Sequence, residues 1–132
     1  MRLGLSTILI IEDHLPTLEL YQRELSRAYR VLVCCNRSEA LQVLQTQSVS
    51  AVVLEPAAWG GEGWAILAAI MQASTERSVP VIVCSTQDER KRGLEMGASL
   101  CLVKPVLPTT LLELLHRITN PLNQKGRLYD EQ

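Results

Sequence analysis

The stretch Thr7-Ile8-Leu9-Ile10-Ile11-Glu12-Asp13 sets the reading of the whole chain. Its first five residues are β-branched or aliphatic, with the length and composition of a strand. They lack polar–apolar alternation, which marks a strand buried on both faces, as in a parallel sheet. Two acids follow at once. In open α/β sheets ligands sit beyond the carboxyl ends of the strands, so Glu12 and Asp13 fall where chemistry is expected.

Working outward, four further runs have the same character: Val31 to Cys35, Ala51 to Leu54, Val81 to Cys84 and Leu100 to Val103. Helical segments separate them. Leu18, Tyr21, Leu25 and Ala28 share one helical face. Asn36 is placed to cap a second helix, with Glu39 at capping-box spacing. Gly63 to Gln72 reads as a third helix and Gln87 to Met96 as a fourth. Pro108 opens a fifth, with Leu111, Leu114, Leu115 and Ile118 along one face. Five repeats of strand then helix predict an α/β domain, and right-handed crossovers leave few sheet orders open.

The chain has 132 residues, enough for one domain with one core, and 47% of them are hydrophobic, against 20% charged. Thirteen basic residues against fourteen acidic ones give a formal charge of −1, which argues against nucleic-acid binding by bulk charge. No apolar run is long enough to span a bilayer, and the apolar start runs straight into Glu12 and Asp13 without a cleavage site. Cys34, Cys35, Cys84 and Cys101 show no C-x-x-C spacing and read as reduced, mostly buried thiols, so a cytoplasmic location is expected. Phenylalanine is absent. The core must be aliphatic.

The strand ends bring together Glu12 and Asp13 after the first strand and Glu55 after the third. Ser85 and Thr86 close the fourth, and Lys104 with Pro105 follows the fifth. Carboxylate oxygens suit a hard cation such as magnesium, and a lysine beside them suits a phosphoryl oxygen. A nucleotide-binding or flavodoxin-like enzyme would need a glycine-rich phosphate cradle after the first strand. Glu12-Asp13-His14-Leu15-Pro16 offers acids there instead, which repel phosphate.

Over Thr7 to Ile118 the chain resembles the receiver domain of two-component response regulators. The residues that carry the resemblance are Ile8 to Asp13, Val52-Val53-Leu54-Glu55, Gly60-Gly61-Glu62-Gly63, Val81 to Ser85, Gly97-Ala98 and Lys104-Pro105. It implies a flavodoxin-like (βα)5 fold with a parallel sheet in the order 2-1-3-4-5. The receiver-like domain is expected over 1–119, with 120–132 a polar tail or linker. The resemblance also implies magnesium on Glu12, Asp13 and Glu55, a phosphoacceptor at position 55, and phosphoryl contacts from Ser85 and Lys104. It implies phosphorelay signalling with a sensor histidine kinase or another signalling protein as partner, and no enzyme beyond self-phosphorylation and autodephosphorylation.

Three departures bear on that expectation. The acceptor position holds Glu55, where the family has aspartate. The extra methylene carries the carboxylate about 1.5 Å further, and phosphoryl transfer depends on positioning. Impaired phosphorylation and weak magnesium binding are expected. An active phosphoacceptor receiver is the alternative. Glu55 either imitates the phosphorylated state or leaves the pocket silent. Cys101 replaces the aromatic residue that couples pocket to output face, and Pro56 with Trp59 alters the following loop. Finally, Gly63 to Gln72 is uncharged on every face, which points to partner docking or a homodimer through that helix, with Leu112 on the fifth helix adding apolar surface.

Overall fold

The computed structural model describes residues 4–73 and 79–120. Five strands and five helices alternate: β1 (Thr7–Ile11), α1 (Leu15–Leu25), β2 (Arg30–Val33), α2 (Arg37–Thr46), β3 (Ala51–Leu54), α3 (Ala58–Ala73), β4 (Val81–Ser85), α4 (Arg90–Glu95), β5 (Leu100–Val103) and α5 (Pro108–Thr119). All strand pairs are parallel, in the order β2-β1-β3-β4-β5. This is the sheet order and the flavodoxin-like class expected from the sequence. The central strands β1, β3 and β4 are buried along their whole length, which is why they read as unbroken apolar runs.

Alternate residues of each strand feed two cores. Leu9, Ile11, Val52, Leu54 and Val83 face Ala40 of α2 and Ile66, Leu67 and Ile70 of α3. Ile8, Ile10, Val53, Ile82 and Cys84 face Tyr21 and Leu25 of α1 and Leu111 and Leu115 of α5. Short aliphatic side chains fill both layers.

Several boundaries differ from the sequence reading, each for a local reason. β2 ends at Val33 because its pairing with β1 ends at Ile10 opposite Val33; the Cys35 amide then donates to Glu39 Oε1. Asn36 does cap α2, its Oδ1 accepting from the Glu39 amide at 2.8 Å. α1 stops at Leu25, so Ala28 is exposed beyond it. α4 begins only at Arg90, since Ser85 Oγ and Asp88 Oδ1 accept the amides of Gln87 and Arg90 and hold the intervening turn. The tail expected at 120–132 lies, from residue 121 onward, outside the described residues.

The largest departure is in α3. Trp59, Gly60 and Gly61 all have positive φ (54°, 74° and 97°), so the helix is broken by a left-handed turn before its regular part begins. The apolar surface expected there is spent inside the molecule. Ile66, Leu67 and Ile70 are buried, and Trp59 and Trp64 pack against the core. Arg92 of α4 closes over the Trp64 ring at 3.9 Å, a cation–π contact rather than a solvated charge. Ala65, Gln72 and Ala73 are exposed, with Ala68 and Ala69 half-buried. Leu112 is likewise half-buried against the α1–α5 core. The docking surface expected from composition is therefore mostly core.

Gly63 seats α3 against the end of β3. A Cβ there would collide with the carbonyl oxygen of Glu55 and the backbone of Pro56. Backbone cannot yield cheaply, so Gly63→Ala is expected to cost about 1–3 kcal/mol. Urea denaturation with an unchanged midpoint would show that the helix does not need so close a seat.

Candidate functional site

The carboxyl ends of β1, β3, β4 and β5 bring Glu12, Asp13, Glu55, Ser85 and Lys104 to one rim. Glu12, Glu55 and Ser85 are buried, which is unusual for such residues unless they are paired. Lys104 supplies the pairing. Its Nζ lies 2.6 Å from Glu12 Oε1 and 2.9 Å from Glu55 Oε1, with 11% of its side chain exposed. The second oxygen of each glutamate is also engaged: His14 N–H donates to Glu12 Oε2 and Ala57 N–H to Glu55 Oε2, both at 3.0 Å. Two buried carboxylates thus share one ammonium, and each also takes a local backbone amide.

Asp13 does different work. Its Oδ2 accepts from the backbone N–H of Trp59 at 2.8 Å, across 46 residues of sequence. That bond pins the left-handed turn before α3 to the end of β1. Ser85 Oγ accepts from Gln87 N–H at 3.1 Å. Thr86 is exposed at the rim. His14 is exposed at the start of α1, with its Nδ1 2.8 Å from Thr17 Oγ1. The Lys104–Pro105 peptide bond is cis.

Beside the triad opens a cleft of about 500 Å³, bounded by the start of α1 and the segment that follows β5. Tyr21, Leu20, Thr17 and Val106 line it together with the acids and Lys104. Burial lowers the pKa of Lys104. The hydrogen bonds and charges of Glu12 and Glu55 outweigh that effect and hold it above the ordinary lysine value. The ammonium's contribution to stability is therefore whole at neutral pH, and is lost only as pH rises through that raised value. Burial pushes the Cys84 thiol, beneath the site, up to about 12, and the Cys34 thiol to about 11. Neither is poised as a nucleophile. Cys35 is exposed and all four cysteines are free.

Magnesium, implied by the resemblance, does not fit these residues as they stand. Lys104 already provides the cation that Glu12 and Glu55 hold, and Asp13 spends an oxygen on Trp59. Among the described residues no group of three or more His, Cys, Asp or Glu side chains is arranged to hold a metal ion.

The structure brings to one rim Glu12, Asp13, Glu55, Ser85 and Lys104, which the sequence placed at strand ends. Sequence reasoning missed the contacts made through backbone amides, above all Trp59 to Asp13, because an amide carries no residue-type signal. It also missed Tyr21, which reads as an ordinary core position of α1. Among the described residues, no helix is long and apolar enough to cross a membrane.

A doubly covered parallel sheet with acids, a hydroxyl and a lysine at its carboxyl rim defines a receiver-type signalling domain. A profile of the response regulator receiver domain matches residues 8–116, and the chain belongs to that family. It is similar to the transcriptional regulatory protein HprR of Escherichia coli, at 32% identity over 125 residues, which cover 92% of this chain and 53% of that protein. The chain thus spans about half the length of that relative. Among solved structures it resembles a signal receiver domain from Bacteroides fragilis (TM-score 0.78, 28% identity, 88% of this chain and 98% of the other). It also resembles the receiver domain of the Pseudomonas aeruginosa sensor histidine kinase PA1611, which has a magnesium ion coordinated in its active site cleft (TM-score 0.77, 23% identity, 88% and 98%). The function is two-component signalling.

Removing the ammonium leaves two buried carboxylates facing each other. Lys104→Met is expected to cost about 3–5 kcal/mol at neutral pH, the range for breaking a buried pair from one side. Urea denaturation at pH 7 measures this; an unchanged midpoint would mean that the triad is not a charge-balanced unit.

Proposed function

We propose that this chain is a receiver module that signals by protein–protein contact, with phosphorylation at position 55 impaired or absent. Its receiver unit is taken as residues 1–119, with a sensor histidine kinase or another signalling protein as partner. The observation that carries the reading is the Lys104 ammonium shared by Glu12 and Glu55. An acceptor carboxylate must present an oxygen in line with a phosphodonor, and phosphoryl transfer gains nearly all its rate from such positioning. Glu55 has one oxygen on Lys104 and the other on the Ala57 amide. Magnesium would have to displace the ammonium before binding, which supports weak metal affinity.

The output side supports the same reading. Gly93 of α4 sits so close to Cys101 of β5 that a Cβ on it would collide with the sulfur. Cysteine at 101 leaves no ring to swing, and Arg92 ties α4 to Trp64 of α3. A helix held at both places offers one fixed surface to a partner. Pocket and output face then act as a single-state module whose signal is its presence.

Incubation with acetyl phosphate and magnesium, followed by intact-mass analysis, tests this. Wild type is expected to gain no stoichiometric phosphate, whereas Glu55→Asp, with a shorter side chain, is expected to regain labelling. A stable gain of one phosphate mapped to Glu55 in wild type would overturn the proposal.

A further inference from the structure

Tyr21 is a buried polar group in the cleft that the triad does not explain. Its side chain is 2% exposed, it lines the cleft, and its hydroxyl has no hydrogen-bond partner among the described residues. Buried tyrosine hydroxyls normally find one. Burial, together with the nearby Cys84, Glu12 and Glu55, holds its pKa far above the ordinary tyrosine value, so the phenol stays neutral with a lone pair to offer. An unpartnered phenol at the wall of a 500 Å³ cleft is a group built to meet something that enters it.

The rest of the lining says what that is. Glu12, Asp13 and Glu55 outnumber the single Lys104, so the cleft carries excess negative charge. Asp13 is exposed and uses only Oδ2 on Trp59. Anions are repelled. Leu20, Pro105 and Val106 form an apolar wall that a bare metal ion would leave uncovered. A ligand with both a charge and an apolar body satisfies every part.

We propose that this cleft binds a small organic cation, a primary amine with a short apolar body, with Tyr21 as the buried hydrogen-bond partner. The ammonium pairs with the excess carboxylate charge around Asp13, and the apolar body lies on Leu20, Pro105 and Val106. The site rests on the proposed silent pocket only in that Lys104 stays on its two glutamates while the cleft fills.

A heteronuclear NMR titration of the 132-residue chain with benzylamine, and with benzoate as the anionic counterpart, tests it. Benzylamine is expected to shift the amides of Asp13, Thr17, Tyr21, Thr86 and Val106 saturably. Benzoate is expected to leave them in place. Tyr21→Phe should weaken benzylamine binding about five-fold, the worth of one hydrogen bond, and Asp13→Asn should weaken it by a similar factor. Equal binding of benzoate, full affinity in Tyr21→Phe, or absence of saturable shifts in the cleft would each overturn the proposal. Phosphodonor labelling is a separate readout, so the amine site and the silent acceptor can fail independently.

Discussion

The site depends on one largely buried ammonium. Two carboxylates at the carboxyl rim of a parallel sheet, both out of solvent, would repel each other and lose their hydration without a cation between them. Lys104 fills that role from the end of β5, reaching Glu12 after β1 and Glu55 after β3. Three non-adjacent segments of chain are thereby tied together at the top of the sheet. A buried pair of this kind is weak evidence for net stability, because desolvation offsets much of the attraction. What it secures is arrangement: breaking it from one side is costly, so the three ends stay in register.

Around that centre the backbone is committed as well. Asp13 holds the amide of Trp59, and the left-handed turn Trp59-Gly60-Gly61 follows from it. For a tryptophan such a backbone is unfavourable, and it persists because Asp13 and the packing of the ring over-determine it. Gly63 then lets α3 approach the Glu55 carbonyl. The extra methylene of Glu55 thus sits in a loop with little room to adjust, which is why it is answered by Lys104 rather than absorbed by movement of the backbone.

Much of this was legible in the sequence. Ile8 to Ile11, Val52 to Leu54 and Val81 to Cys84 declare doubly buried strands by their lack of alternation, and the acids, hydroxyl and lysine after them fall at one rim by topology alone. The rest depended on three-dimensional neighbours. The uncharged run from Gly63 to Gln72 suggested an exposed contact, but tertiary packing turned Trp64 inward beneath Arg92 and left small alanines outside. No pattern in α4 announces that Arg92 lies over a ring from another helix. Tyr21 looked like core, and its unpartnered hydroxyl emerges only when the cleft is seen.

The arrangement of the rim depends on Lys104 being held by both glutamates in solution. Isotope-edited NMR of its side chain, following the Cε and Nζ resonances through a pH titration with and without millimolar magnesium, measures this directly. A lysine bound as described titrates above its ordinary value and keeps its resonances unchanged when magnesium is added. A titration midpoint at or below the ordinary lysine value, or release of the side chain by magnesium, would contradict it.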